Sequence, residues 1–337
     1  MECYEWLCRL CEADAPGAAA DLVAGYFSSF AEVAQDAFGG VSAVMRAGEE
    51  KPTLLLDAHL DAIGMMVTSI DDDGFCKVGP CGRLDARVLT GAEVTVWGRK
   101  PMHGVICSIP PHLSRGEQRE AASISELSID VGFKAEAARE QIAPGDRVTL
   151  AQTIRPLRGG LVCGKSLDNR AGVAALMTAG DILRQETTLP CNVVFSFSEQ
   201  EETGGAPAAA AVFRHRPQEA IVVDVSFATG YRTPPEVEAR IGGGPMLGIA
   251  PNLSRQMFHR LRQTASRVGM EVQTEVMSDR TGTNADRMVE TAGGVPCGLI
   301  SIPLRNMHTA AEAVCLSDIE QTGRLLAEYG KGGVCYG

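Results

Sequence analysis

The sequence predicts an α/β protein interrupted by a small all-β insertion, and three observations carry that reading. Apolar runs of strand length alternate with helix-length stretches on either side of the insertion, the pattern of a largely parallel sheet covered on both faces. Between about Thr68 and Pro156 the texture changes to short strand-like runs separated by Gly, Pro and Asp turns. Several strands of the outer pattern run into carboxylates or histidines, at the rim where open α/β sheets bind their ligands.

Taken in order, residues 2–12 and 19–35 read as helices parted by Asp14-Ala15-Pro16-Gly17, and residues 41–45 and 53–58 as strands. The insertion supplies strand-like runs at 74–78, 87–89, 92–97, 104–109, 127–131 and 147–150, which suit a small β-barrel or sandwich. His59 and Asp168 flank the insertion, so a site built from both needs its ends close together, the usual situation for a tolerated domain insertion. The expected division is therefore 1–67 with 157–337 as one discontinuous domain, and 68–156 as the other. Beyond Gly164, helices are expected over 171–185, 207–214, 253–268, 285–290 and 316–329, with strands over 192–197, 220–224, 272–277 and 297–302.

The stretch Val-Val-Phe-Ser-Phe-Ser-Glu-Gln-Glu-Glu-Thr-Gly-Gly-Ala, starting at Val193, places Glu201 and Glu202 just beyond a buried-strand pattern that the Gly pair ends. Other strands deliver partners to the same rim. The run at 53–58 leads into His59 and Asp61, the run at 220–223 into Asp224, and the run at 298–303 through Leu304-Arg305-Asn306-Met307 into His308. Asp168 directly precedes an Ala-rich helix, whose free N–H groups favour a negative charge. Imidazoles and carboxylates suit Zn, Co or Mn, and one carboxylate shared between two ions makes a two-metal site.

Composition narrows the function classes. The net charge of −11, with Lys and Arg scattered, lacks the basic footprint that nucleic-acid binding needs. There is no apolar run long enough to span a bilayer, and the first residues carry acids where a signal peptide is basic, so a cytoplasmic location is expected. Eleven cysteines spread along the chain read as reduced thiols rather than a disulfide framework, and Cys8-Arg9-Leu10-Cys11 has no second pair at zinc-finger spacing. His103 and His112 read as turn or interface residues, His215 and His259 as solvated, Gly242-Gly243-Gly244-Pro245 as a tight turn, and Met65-Met66 as core.

Five segments together, His59-Leu60-Asp61-Ala62-Ile63-Gly64, Leu167-Asp168-Asn169-Arg170, Gln200-Glu201-Glu202-Thr203-Gly204, Val223-Asp224-Val225 and Ile302-Pro303-Leu304-Arg305-Asn306-Met307-His308, resemble the glutamyl aminopeptidase or tetrahedral (TET) aminopeptidase family of two-metal exopeptidases. Gly104-Val105-Ile106, Pro110-Pro111-His112-Leu113, Glu126 to Gly132 and Pro144 to Val148 are similar to its inserted dimerisation domain. The likeness spans nearly the whole chain in unbroken order. It implies a phosphorylase/hydrolase-like αβα catalytic domain with a PDZ-like barrel inserted. Two divalent ions, Zn²⁺ or Co²⁺, are implied, with His59 and Asp224 on one, Glu202 and His308 on the other, and Asp168 bridging both. Glu201 is then the general base, and Asp61 orients the ring of His59. Short peptides are the implied substrates, and dimers gathering into a dodecamer the implied assembly. The chain departs from the family at Ala62, where an acid is usual, and at Asn169 and Asn284, where Asp is frequent. Two other readings stand beside this one: a metal-binding homologue without catalysis, and a glycoside hydrolase using Asp168 with Glu201 or Glu202 as an acid pair.

Overall fold

The computed structural model describes residues 2–108 and 123–334. The chain enters through α1 (Cys3–Glu12) and α2 (Ala18–Phe27), followed by β1 (Glu32–Gln35), β2 (Val41–Met45) and β3 (Thr53–His59). The helix expected over 19–35 therefore stops at Phe27, and its last four residues form a strand paired antiparallel with β2, Glu32 opposite Val44. The cause lies downstream. Asp36 accepts the N–H groups of Phe38 and Gly40 at 2.8 and 2.9 Å and closes a hairpin turn, a constraint invisible to helical periodicity.

The insertion comprises β4 (Gly64–Ile70), β5 (Cys76–Cys81), β6 (Glu93–Trp97), β7 (Pro101–Ile106), β8 (Ser128–Asp130), α3 (Ala135–Gln141) and β9 (Arg147–Leu150). Its strands close into a barrel in the order β4-β5-β8-β7-β6-β9, around Met65, Val67, Val78, Val94, Val96, Ile129 and Val148. The first barrel strand begins at Gly64, ahead of the break in texture at Thr68. Met65 is buried in the barrel, but Met66, expected in the core, is 43% exposed, because neighbouring residues of a strand face opposite sides. Arg87-Val88-Leu89, expected as strand, is instead a 3-10 turn over Ala86–Val88 capped by Asp85. Pro110-Pro111-His112-Leu113 lies outside the described residues.

The chain returns through β10 (Arg155–Pro156), β11 (Leu161–Gly164), α4 (Leu167–Leu183), β12 (Asn192–Ser198), α5 (Ala206–His215), β13 (Glu219–Phe227) and β14 (Met246–Ile249). It finishes with α6 (Arg255–Arg267), β15 (Gln273–Val276), α7 (Ala285–Met288), β16 (Cys297–Arg305), β17 (Glu312–Cys315) and α8 (Leu316–Gly332). The large sheet has the order β1-β2-β12-β3-β13-β16-β17-β11-β10, with β14 and β15 joined beside β16. Its centre, β12-β3-β13-β16, is parallel. Its flanks are largely antiparallel, so the sheet is mixed rather than mostly parallel throughout.

The central strands are apolar on both sides because helices cover both. Leu54, Leu56, Val193, Phe195, Ile221 and Val223 pack toward α1, α2, α4, α6 and α8, while the intervening Leu55, Val194, Ala220 and Val222 pack toward α5 and α7. Phe27 of α2 seats against Phe195 and Phe197 with ring centroids 4.8 and 5.3 Å apart. This sandwich is what fixes the strand ends. Among the described residues the cysteines are free, and no helix is long and apolar enough to cross a membrane.

Candidate metal centre

Three parallel strands and one helix end at the same rim, and each delivers a polar side chain there. His59 closes β3, Asp168 lies in the first turn of α4, Asp224 sits on β13, and His308 follows β16. Glu202 comes from the turn after β12, where Gly205 has φ +68° and a Cβ there would meet Asn284 Oδ1 at 2.9 Å. The barrel supplies the facing side: a Cβ on Gly82 would lie 3.1 Å from Glu202 Oε2, and Arg83 lines the same cleft.

The side chains form two triads that share one member. His59, Asp168 and Asp224 make one, and Asp168, Glu202 and His308 the other, with ligand atoms in each within 4.8 Å of one another. Asp168 divides its oxygens between them. Oδ1 is 3.2 Å from His59 Nε2, and Oδ2 is 3.3 Å from His308 Nε2. His59 Nε2 also lies 3.6 Å from Asp224 Oδ1, and His308 Nε2 lies 3.6 Å from Glu202 Oε1. Asp168 is joined to Asn169 by a cis peptide bond. Glu201 belongs to neither triad but lines the same cleft, of about 660 Å³.

The charges in this cluster are mutually dependent. Burial opposes the positive charge of His59, but hydrogen bonds to Asp168, Asp224 and Asp61 outweigh it and raise its pKa well above the ordinary range. Burial likewise opposes the negative charge of Asp168, yet the imidazoles of His308 and His59 hold its carboxyl down at about 2. Glu202 is pushed up to about 7 by burial and by Asp168. Glu201 is pushed up to about 8 chiefly by burial, with His59 lowering it and Asp224, Glu202 and Asp168 raising it. Carboxylates crowded this way need positive charge. Glu202 Oε1, sealed from solvent without a hydrogen-bond partner, is an acceptor left for a cation. The donor set, imidazole nitrogens and carboxylate oxygens converging on two points, fits divalent ions.

Asp61, expected to orient the ring of His59, meets that ring through both its carbonyl and its carboxylate. His59 Nδ1 lies 3.0 Å from the backbone carbonyl of Asp61, with the carboxylate Oδ1 at 3.4 Å. That carboxylate accepts the N–H groups of Glu201 and Glu202 at 3.0 and 3.1 Å. Burial raises its pKa, but His59 and these two donors outweigh burial and lower it.

Glu312 escaped the sequence reading. It is 1% exposed, and its two oxygens accept the N–H of Asp168 at 3.1 Å and the N–H of His308 at 2.9 Å, tying the backbone of the shared member to that of a member of the second triad. Its position four residues after His308 on a short strand gave no periodic signal. Asn169 donates from Nδ2 to the carbonyl of Val223 at 2.8 Å, a bond that an ionised Asp has no hydrogen to make. Asn284 donates to Asp57 Oδ2 and Ser198 Oγ at 2.9 and 2.8 Å in a buried network under the cleft.

Two of the remaining motifs have structural partners. His215, expected to be solvated, is half-buried with Nε2 3.0 Å from Ser42 Oγ, pinning α5 to β2. His103 and His259 are exposed, and His112 lies outside the described residues. The triple-Gly turn offers the N–H groups of Gly242 and Gly244 to Asp318 at 2.7 and 2.9 Å, so its anion is a side chain of the same protein.

Comparison with known proteins adds the chemistry's context. The family model described as M42 glutamyl aminopeptidase matches residues 39–325. A putative aminopeptidase of Acetivibrio thermocellus is 31% identical over 88% of this chain and 87% of its own length. The structure of a TET aminopeptidase from a marine-sediment Thaumarchaeota archaeon superposes with a TM-score of 0.91 at 28% identity, covering 98% of this chain and 96% of that one. A TET1 peptidase of Pyrococcus horikoshii, described as assembling into a tetrahedron or a large octahedral shell, gives 0.82 at 28% identity over 93% of each chain.

Proposed function

We propose that this chain, which belongs to the M42 glutamyl aminopeptidase family and is a hydrolase of the metallo-aminopeptidase class, removes single residues from the free N-termini of short peptides at a two-metal site with Glu201 as general base. The observation that carries the two-metal reading is the division of Asp168, one oxygen toward His59 at 3.2 Å and the other toward His308 at 3.3 Å. His59 and Asp224 would hold one ion, Glu202 and His308 the other, and Asp168 both. Divalent ions held there, Zn²⁺ or Co²⁺ by donor type, supply Lewis acidity toward the scissile carbonyl and toward water.

This chain's own residues do the rest. Glu201, placed on the cleft wall beside the triads, takes a proton from the attacking water and returns it to the leaving amine, a role worth roughly a hundred- to ten-thousandfold. Asp61 holds Glu201 and Glu202 by their backbone N–H groups, so two adjacent acids serve different ends. A glycosidase acid pair would leave His59, His308 and Asp224 without work.

The test is the cut. Short unblocked peptides should give a ladder shortened from the N-terminus by mass spectrometry, lost with a chelator and restored by Zn²⁺ or Co²⁺. N-acetylated copies should be cleaved far more slowly or not at all. Internal fragments from acetylated peptides, or sugar released from a glucan with no peptide ladder, would overturn the reading. The Pyrococcus horikoshii relative's shell supports a large homo-oligomer here, so light scattering should give a mass far above 35.7 kDa, and a monomer at micromolar concentration would refute the assembly.

A further inference from the structure

The two triads do not stand on equally rigid backbone. His59 and Asp224 lie within β3 and β13, at the centre of the large sheet, whereas Glu202 and His308 stand in turns, after β12 and after β16. The turn at 306–311 is closed on itself by exposed bonds. Asn306 Nδ2 donates to the carbonyl of Ala311 at 3.0 Å, Thr309 Oγ1 donates to the carbonyl of Asn306 at 2.7 Å, and the N–H of Ala311 donates to Thr309 Oγ1 at 3.1 Å. Asn306 and His308 have φ of +58° and +62°, in the left-handed region that residues other than glycine rarely adopt. Backbone held there persists only where its surroundings over-determine it.

Glu312 reaches this turn from the buried side. It opens β17, and the pairing of that strand fixes its place, with Gly164 opposite Glu312 and Arg305 opposite Ala313. One carboxylate oxygen takes the N–H of His308 at 2.9 Å and the other that of Asp168 at 3.1 Å. A strand start thus holds a turn-borne member of the second triad at a set position against the shared one. His59 and Asp224 have no need of such a tie, since their own strands are paired on both sides.

We propose that Glu312 is the positioning residue of the ion held by Asp168, Glu202 and His308, and that it sets up this site in the metal-free protein; the inference rests on the two-metal reading. Without the carboxylate the turn carrying His308 is released, while the strands under His59 and Asp224 stay in place. The loss is therefore selective for one ion. Groups that orient a metal ligand from behind are worth about ten- to a hundredfold in metal affinity.

Zn²⁺ titration of the full chain against a chromophoric chelator tests this. The unaltered enzyme should bind two ions. E312Q keeps the side chain's length but turns an amide toward one of the two N–H donors, so one dissociation constant should rise about tenfold or more and the other stay within a few-fold. Adding E312Q to H59A and to H308A shows which ion is affected: the variant should weaken the ion left in H59A and do less to the ion left in H308A. Equal weakening of both ions, or equal effects in the two backgrounds, would mark a merely structural role and overturn the proposal. Hydrogen exchange of the unaltered metal-free enzyme, read by mass spectrometry with fragmentation, needs no variant to fold. The His308 amide should stay protected, and exchange at the rate of an open turn would overturn the proposal. An unaltered enzyme that binds a single ion would instead sink the two-metal reading, and this inference with it.

Discussion

The carboxylate of Asp61 receives the backbone N–H of Glu202 at 3.1 Å while its neighbouring oxygen receives that of Glu201 at 3.0 Å, so a side chain from one strand end sets the turn of another. Asp61→Asn replaces one acceptor by an amide that faces a donor. The expected cost is about 1–3 kcal/mol in stability, the penalty of a buried unmade bond, with lowered kcat and weaker metal binding together. Thermal unfolding and metal titration check this. Unchanged values would show that the turn holds without Asp61.

Glu201→Gln keeps the shape of the side chain but accepts no proton. Metal content should stay at the wild-type level while kcat falls by about a hundredfold or more. Inductively coupled plasma analysis and steady-state kinetics on the same preparation separate the two. Turnover within a few-fold of wild type would remove Glu201 from the base role.

Asp168→Ala should cost both ions, because two cations without a shared anion repel each other, whereas His59→Ala should empty mainly one site. Metal titration resolves one loss from two. The Asp168 variant keeps the backbone N–H that Glu312 accepts, so its effect reports the carboxylate rather than the local tie.

The metal-free protein should lose stability as pH rises from about 5 to 8. Glu202 and Glu201 are pushed up to about 7 and 8 by burial among carboxylates, and His59 is raised well above its ordinary value. The folded state therefore holds protons that the unfolded chain has released, a stabilisation present below the unfolded pKa values and lost as pH climbs through the folded ones. Asp168, held at about 2, has the opposite sign but titrates below this window. Divalent ions should flatten or reverse the slope. Chemical denaturation across pH, with and without metal, measures it, and a metal-free protein more stable at pH 8 than at pH 6 would contradict the account.

Local signals were enough for the elements that carry the candidate site. Apolar runs ending in His59, Asp224 or Glu201-Glu202 announce buried strands whose next residues must emerge at a sheet edge, and the Ala-rich run after Asp168 announces a helix start. Short segments were another matter. Glu32–Gln35 is a strand only because Val41–Met45 lies beside it, and Glu312–Cys315 only because Leu161–Gly164 and the end of β16 pair with it.

The sequence by itself determined which side chains reach the rim, because strand burial and helix starts are written in nearest-neighbour periodicity. Only the tertiary structure decided what those side chains meet. The split of Asp168 between His59 and His308, the turn of Asp61 toward two backbone N–H groups and the burial of Glu312 between two backbones all join residues far apart along the chain. Such contacts depend on the packing of several elements at once, and no spacing along one segment encodes them.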